Sequence, residues 1–265
     1  MASEVKTNII SPATGTAVTV SGLNVGSDAA GDVLYNNGTD YTRLAKPGTP
    51  ADEVLTFATG ASAPSWVAAS SGGGMVGVQV YDTTSTPYTW TKSTRESAIG
   101  KTINRVLVEV QGGGGGGGST VNGWGGGGGG AGGYSMKLID VGEITTSTIV
   151  VGTGGAAASA GITSSWADGT NTLTGVGGST GNNGENPGYG NGGHGGVGTG
   201  GDLIIQGMNG NEGLGNVQMG GGSRFASSKH TVNGGAFDAE PTNYGHGGYG
   251  ASTGGGGLVL VVEIN

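Results

Sequence analysis

Short apolar runs with a period of two recur along the second half of the chain. The clearest lies between residues 101 and 110, where Ile103 is followed by Val106, Val108 and Val110 on one face of an extended segment. Such alternation is typical of a half-buried strand. β-Branched runs predict further strands over 134–141, 147–151, 202–206 and 258–264, of which the last is expected to be central. Residues 92–99 are the one segment compatible with a short helix. Because all the other patterned segments predict strands, the chain is predicted to be an all-β protein.

Two glycine tracts separate the first two of these strands. Residues 112–118 are all glycine, 119–124 form a short tip, and 125–133 are glycine except for Ala131. Such a tract is either a flexible linker or a segment whose backbone packs closer than any Cβ allows. The near absence of serine and charge, and the flanking apolar strands, favour ordered packing.

A repeat of three residues appears in a later glycine-rich stretch. Glycine occupies positions 190, 193 and 196, and also 192, 195 and 198. A polyglycine II helix has about three residues per turn, so these glycines would face neighbouring helices. His194 and Val197 occupy the third position, where a side chain is tolerated.

The first 74 residues contain only short extended segments. Asn37-Gly38 predicts a two-residue type I′ hairpin with arms at 33–35 and 41–44. The runs are too short to enclose a core alone, which favours intertwining with partner chains. The small-residue stretch 68–74 is the predicted boundary between an attachment and shaft region, 1–74, and a distal β domain, 75–265.

Composition and charge narrow the function. Glycine accounts for 65 residues, whereas charged residues make up only 11%, unlike a disordered acidic chain. Ten scattered Lys and Arg residues and a net charge of −8 disfavour nucleic-acid binding. The absence of cysteine excludes disulfides and thiolate metal sites. No apolar run is long enough for a membrane helix, and the first residues lack a signal-peptide pattern, so neither membrane insertion nor cleaved export is expected.

The order of the motifs resembles bacteriophage tail-fibre proteins. Residues 31–44, 53–57 and 63–66 are similar to a module repeated in tail-fibre and tail-tip proteins, with Asp52-Glu53 departing from its usual pattern. Residues 105–265, with their tracts, strands and closing 254–263 stretch, resemble a glycine-rich distal domain of such fibres. The resemblance implies a trimeric fibre segment, over about 30–68, that precedes a distal domain.

No catalytic constellation stands out in the sequence. The three histidines lie in separate loops, and no nucleophile-elbow or phosphate-loop motif is present. Carboxylates such as Asp168 and Glu185 are interpreted as solvated loop residues, although a glycosidase pair stays open. We therefore expect no enzyme activity, no cofactor and no metal.

Aromatic and histidine residues in the glycine-rich loops are the candidate receptor contacts: Trp124, Tyr189, His194, Tyr244, His246 and Tyr249. Rigid aromatic side chains supply contact area within an adaptable backbone. For Trp124, at the tip of the glycine hairpin, receptor contact and packing on glycine are equally favoured. Trp166, flanked by strand signals, is expected in the core.

These observations favour a fold with an intertwined N-terminal fibre segment and a β-sandwich-like domain whose loops are polyglycine-II-like. The expected function is non-enzymatic attachment of a phage tail fibre to a host polysaccharide or outer-membrane protein. The expected partners are two further copies in a homotrimer and other tail proteins, in a virion made in the host cytoplasm. The alternatives are a structural fibre or connector, a depolymerising tailspike and an ice-binding protein; the latter two lack their expected repeats.

Overall fold

The computed structural model describes most of the second half of the chain and parts of the first. The described residues are 32–39, 41–47, 53–57, 60–61, 63–68, 73–82, 87–214, 218–228, 230–232, 235–236 and 244–265. The chain divides into two compact units, Met1–Gly72 and Gly73–Asn265. Predictions for residues 1–31 lie outside the described residues.

The described part of the first unit consists of two hairpins. Strand β1 (Val33–Asn36) pairs with β2 (Tyr41–Leu44), and β3 (Glu53–Thr56) pairs with β4 (Ser65–Ala68). The register pairs Asn36 with Tyr41, so the first connection has four residues. The predicted two-residue type I′ turn is therefore wrong, although the hairpin itself is confirmed. Side-chain amide oxygens of Asn36 and Asn37 accept the N–H groups of Gly38 and Thr39, which stabilises the longer turn.

The second unit contains a sandwich of two five-stranded antiparallel sheets. Its elements in chain order are β5 (Met75–Tyr81), β6 (Tyr88–Thr91), α1 (Lys92–Ile99), β7 (Arg105–Gln111), β8 (Tyr134–Asp140), β9 (Thr146–Val150), β10 (Ser164–Ala167), β11 (Thr172–Gly175), β12 (Gly198–Thr199), β13 (Leu203–Ile205), β14 (Gln218–Met219), β15 (His230–Val232), β16 (Gly235–Ala236) and β17 (Leu258–Ile264). One sheet has the order β13-β8-β7-β17-β5, and the other has the order β12-β11-β10-β9-β6. Strands β14 to β16 form a small third sheet. The prediction of an all-β protein is thus confirmed.

The core lies between the two large sheets. The predicted apolar positions are confirmed as core positions. Val106, Val108 and Val110 of β7 are fully buried, and so is Ile103, which precedes the strand. Strand β17 pairs with both β5 and β7 and is central, as its sequence predicted. Trp166 is buried and stacks at an angle against Trp90, with their ring centroids 5.6 Å apart. The expectation that Trp166 belongs to the core is confirmed.

Helix α1 is the one helix in the described part of the chain, and it ends at Gly100, which takes a left-handed conformation with φ of 66°. It is anchored by Arg95, whose guanidinium makes two hydrogen bonds of 2.7 and 2.9 Å to the carboxylate of Glu263. Glu263 is fully buried and also accepts a hydrogen bond from Trp90 Nε1 at 3.0 Å. No described helix has the length and apolar character needed to cross a membrane.

The glycine tracts continue the strands as a hydrogen-bonded bundle. Residues 112–118, the first inner segment, follow β7 directly, and residues 125–133, the second inner segment, lead into β8. Every N–H of 112–118 donates a hydrogen bond of 2.8 to 3.0 Å, with acceptors that repeat every third residue. Residues 112, 115 and 118 bond to the second inner segment, 113 and 116 to residues 162 and 159, and 114 and 117 to residues 255 and 252. This three-fold repeat is the geometry of polyglycine II.

Neighbouring segments surround both inner segments. The carbonyls of 113–117 accept N–H groups from three further segments, so the first inner segment has six neighbours. A Cβ on any residue of 112–118 would collide with a backbone carbonyl of a neighbouring segment. The tracts are therefore ordered, and 112–118 is pure glycine because packing on every side leaves no room for a side chain.

The outer segments need glycine only on the sides that face their neighbours. In the segment 190–198, a Cβ at 190, 193 or 196 would meet the segment 176–182, and a Cβ at 192 or 195 would meet the segment 207–210. A Cβ at 198 would meet the carbonyl of Tyr134. His194 and Val197 lie at the remaining positions and are exposed. The predicted period-three interpretation of this stretch is confirmed.

Candidate functional site

The bundle ends in a tip built from three loops, 119–124, 185–189 and 211–214. The first loop is a tight hairpin, in which Val121 and Trp124 exchange two backbone hydrogen bonds of 2.9 Å. Its central residues, Asn122 and Gly123, have φ values of 49° and 85°, as a type I′ turn requires. The Asn-Gly pair is a sequence signal that could have predicted this hairpin.

The second loop packs against the first. Glu185 N–H donates to the carbonyl of Gly188 at 2.9 Å, which closes the loop. Two hydrogen bonds tie its base to Ser119: Gly184 N–H donates to the Ser119 carbonyl, and Ser119 N–H donates to Asn183 Oδ1. The rings of Trp124 and Tyr189 then meet edge to face, with their centroids 5.0 Å apart at an angle of 65°. Edge-to-face geometry is favourable for aromatic pairs.

The third loop brings an aliphatic side chain to the same end. Gly213 N–H donates to the Gly190 carbonyl, and Gly190 N–H donates to the Gly125 carbonyl, both at 2.9 Å. Gly213, Gly190 and Gly125 directly adjoin Leu214, Tyr189 and Trp124 in sequence. The hydrogen bonds between these glycines therefore place the three side chains at the same height along the bundle. Leu214 is 60% exposed. Sequence reasoning missed Leu214 and Val121, because isolated aliphatic residues in loops carry no periodic signal.

The structure supplies a packing partner for Trp124. Its side chain is half-buried, and Tyr189 supplies the packing partner that the sequence around Trp124 lacks. Tyr189 remains 36% exposed. The pair is therefore both packed and accessible, so packing and contact are not exclusive for Trp124.

The other four candidate residues do not join the tip pair. Tyr249 is half-buried in the segment 245–250, near the tip-side end of the first inner segment, and His194 is exposed on the flank of the bundle. Tyr244 lies at the opposite end, where its hydroxyl donates to Asp82 Oδ2 at 2.8 Å, and this hydrogen bond raises the pKa of Tyr244. His246 is buried at 7% exposure, so the expectation that it is an exposed loop residue is wrong.

The tip carries little charge. Its loops contain two carboxylates, Glu185 and Glu212, and no Lys or Arg. Both carboxylates are exposed. Within the described residues, no group of three His, Cys, Asp or Glu side chains is placed to hold a metal ion. The arrangement presents an apolar, aromatic surface surrounded by amides and hydroxyls, which suits noncovalent contact with a sugar face or a protein surface.

Comparison with known proteins does not assign the chain to a family. No model of a protein family matches the chain, and no curated protein sequence matches it significantly.

Proposed function

We propose that this chain is a phage tail-fibre or tail-tip protein that attaches the virion to a host cell surface without enzymatic chemistry. Its ligand would be a surface polysaccharide or an outer-membrane protein. The proposal rests on the resemblance of the motif order to tail-fibre proteins and on one structural observation. That observation is the accessible Trp124–Tyr189 pair at the end of the glycine bundle.

The bundle supports this function because it makes the tip rigid. The first loop begins and ends next to segments whose N–H groups, over 112–118 and 127–133, all donate hydrogen bonds to neighbouring backbone. Little conformational entropy therefore remains to be lost on binding. Exposed aromatic residues on such a support are the residue types that dominate binding energy at interfaces.

The proposed assembly is a homotrimer joined to other tail proteins through the first 74 residues, with localisation in the virion tail. Three copies would repeat a weak site and gain avidity without new contacts. Within the second unit, every N–H of 112–118 and of 127–133 donates to a carbonyl of the same chain. The bundle therefore needs no partner chain, which leaves trimerisation to surfaces outside it.

Cell binding by tip variants tests the attachment function. Purified full-length protein would be labelled and its retention on a panel of Gram-negative strains measured by flow cytometry. We expect the Trp124→Ala, Tyr189→Ala double variant to bind at least ~10-fold more weakly, because aromatic hot spots contribute about 2 kcal/mol or more. Met208→Ala, which changes a 61% exposed side chain on the bundle flank, is the matched control.

Treatment of the cells separates the two ligand classes. Periodate oxidation of the surface should abolish binding if the ligand is a polysaccharide, and protease treatment should abolish it if the ligand is a protein. If cells retain the double variant as well as they retain the wild-type protein, the tip is not the receptor-binding site.

A structural fibre or connector is the second candidate. The observation that favours it is the packing of Trp124 against Tyr189, which gives Trp124 a role without any ligand. In that case the double variant would lose thermal stability, and no strain on the panel would retain the wild-type protein.

A further inference from the structure

The glycine bundle supports the tip without a single positively charged side chain. Its only charged residues are two carboxylates, Glu185 and Glu212, and both are exposed in the loops of the tip. Such carboxylates are ionised at neutral pH. Neither Lys nor Arg occurs in the described stretches that form the bundle and its tip: 112–133, 152–163, 175–198, 206–214, 218–222 and 244–257.

The cations of the sandwich lie too far from the tip to offset this negative charge. The seven residues 112–118 rise about 3.1 Å each in polyglycine II geometry, so they separate the tip from the end of β7 by roughly 20 Å. Arg224 lies over the ring of Tyr134, at the sandwich end of the bundle. At physiological ionic strength charges are screened over about 8 Å. The charge that a ligand meets at the described tip is therefore that of Glu185 and Glu212.

The tip also offers hydrogen-bonding groups that the protein itself does not use. Within the described residues, neither Nε1 of Trp124 nor the hydroxyl of Tyr189 has a hydrogen-bond partner, and neither is a buried atom. The exposed side-chain amides of Asn122 and Asn186 likewise make no hydrogen bond to the described part of the chain. A ligand rich in hydroxyl groups can therefore pair with these donors and acceptors without displacing an internal contact.

The aromatic pair adds an apolar surface beside these polar groups. In the edge-to-face arrangement of Trp124 and Tyr189, the edge of one ring meets one face of the other, so each ring keeps at least one face free of its partner. The face of an aromatic ring is negative and attracts weakly positive C–H groups. A sugar ring has C–H groups on its faces and hydroxyls around its rim, so it matches this combination.

The small area of the tip disfavours a protein as its ligand. Roughly ten described segments form the bundle, and at a spacing of about 4.8 Å their hexagonal packing gives an end of roughly 200 Å². A standard protein–protein interface buries about 800 Å² on each partner. The end of the bundle is much closer in size to a ligand of a few sugar rings.

We propose that the tip binds an uncharged part of a surface polysaccharide and rejects acidic polysaccharides. Trp124 and Tyr189 hold the apolar side of a sugar ring, and the free amides of the tip bind its hydroxyls. The two carboxylates repel phosphate, sulfate or carboxylate groups on neighbouring sugars, and the tip lacks the Arg or Lys side chains that bind such groups. This inference rests on the proposed attachment function and narrows its ligand.

Competition for cells tests the class of polysaccharide. The surface polysaccharides of a strain that retains the full-length protein would be extracted and separated by anion exchange into a neutral and an acidic fraction. We expect the neutral fraction to halve retention at a sugar concentration at least ~10-fold lower than the acidic fraction requires. Retention should change less than about two-fold between roughly 50 and 500 mM salt, because no ion pair contributes to binding.

Charge-reversal variants test the role of the two carboxylates. The Glu185→Lys, Glu212→Lys pair should allow the acidic fraction to compete at least ~10-fold better than it does against the wild-type protein. The matched control is the Glu143→Lys, Asp202→Lys pair, which reverses two exposed carboxylates outside the bundle, in the connections after β8 and β12. This control should keep the preference of the wild-type protein, and thermal melts confirm that each variant is folded.

Three results would overturn the inference and leave the attachment function standing. Retention that protease treatment abolishes and that neither fraction inhibits would identify a protein ligand. Stronger competition by the acidic fraction than by the neutral one would show that acidic sugars are not rejected. An unchanged preference in the Glu185→Lys, Glu212→Lys pair would show that the carboxylates do not select the ligand. A failure of every strain to retain the wild-type protein would instead contradict the attachment function itself.

Discussion

Gly116 illustrates, at the scale of a single residue, why the first inner segment consists of glycine alone. Its N–H donates to the Ser159 carbonyl at 2.8 Å, and a Cβ on Gly116 would collide with the Ala156 carbonyl. Backbone on both sides of the contact is held by further hydrogen bonds, so neither side can move without breaking them. The collision would have to be relieved by displacing a whole segment.

We predict that Gly116→Ala destabilises the second unit by about 1–3 kcal/mol or more, the usual cost of overpacking. Gly256→Ala is the matched control, because a Cβ there meets no atom within 4 Å and its φ is not positive. The control should be neutral or stabilising by up to about 1 kcal/mol, through reduced freedom of the unfolded chain. Urea unfolding followed by tryptophan fluorescence measures both, and equal effects of the two substitutions would contradict the packed bundle.

Asp168 gives a pH-dependent contribution at the same scale. Burial alone would raise its pKa, but hydrogen bonds from the backbone of Asn171 and Thr170 and from Trp166 Nε1 outweigh burial and lower the pKa overall. A carboxyl with a lowered pKa contributes stability above its unfolded-state pKa of about 3.9. This contribution is lost as pH falls through the folded-state value.

We therefore expect Asp168→Asn to lower the free energy of unfolding at pH 7 and to reduce its decline between about pH 5 and pH 2. Thermal melts across that range, compared with the exposed-carboxylate variant Glu185→Asn, measure the difference. A parallel pH dependence for Asp168→Asn and wild type would show that the turn does not depend on the ionised side chain.

The contact between helix α1 and strand β17 is the clearest coupling between elements. Arg95 projects from the helix to the buried carboxylate of Glu263, and Trp90 on β6 donates to the same carboxylate. The hydrogen bond to Glu263 raises the pKa of Arg95 despite the opposing effect of burial. Gly77 on β5 leaves the space that the carboxylate occupies, because a Cβ there would collide with Glu263 Oε2.

Removing Arg95 would leave this buried carboxylate with the indole N–H as its remaining donor. We predict that Arg95→Met destabilises the second unit by about 3–5 kcal/mol, the usual effect of removing one partner of a buried ion pair. Lys101→Met, an exposed cation just after the helix, should change stability by less than about 0.5 kcal/mol. If Arg95→Met unfolds at the wild-type urea concentration, the ion pair is not what fixes the helix to the sheet.

For the whole molecule, we predict that the division into two units separates assembly from presentation of the tip. The second unit has its own core, and the N–H groups of 112–118 and 127–133 are hydrogen-bonded within one chain. We expect the fragment 73–265 to fold with a melting temperature close to that of the full chain but to associate more weakly. Light scattering and thermal melts of the two proteins measure this.

The expected mass of the full chain is that of a trimer. A fragment that keeps the full-chain mass would instead assign assembly to the second unit alone, and a fragment that fails to fold would contradict the independence of its core.

The sequence determined the class of fold and the character of the glycine segments. The period-two run predicted strand β7 and its buried face, and residues 92–99 were correctly interpreted as a short helix. The period-three glycines of 190–198 predicted the polyglycine II geometry and the exposure of His194 and Val197. These patterns are readable because a strand or an extended helix imposes its own repeat on which positions can carry side chains.

Only the tertiary structure decided which distant residues meet. Trp124 and Tyr189 are 65 positions apart, and three hydrogen-bonded segments set them side by side, whereas His246, similar in its sequence surroundings to His194, is buried. The composition of a single strand likewise does not show which residues of other strands lie beside it: only the register aligns Val78, Val262, Leu107 and Leu138 in one row across four strands. Local repeats are encoded by neighbouring residues, but the order in which segments pack depends on contacts far apart in the chain.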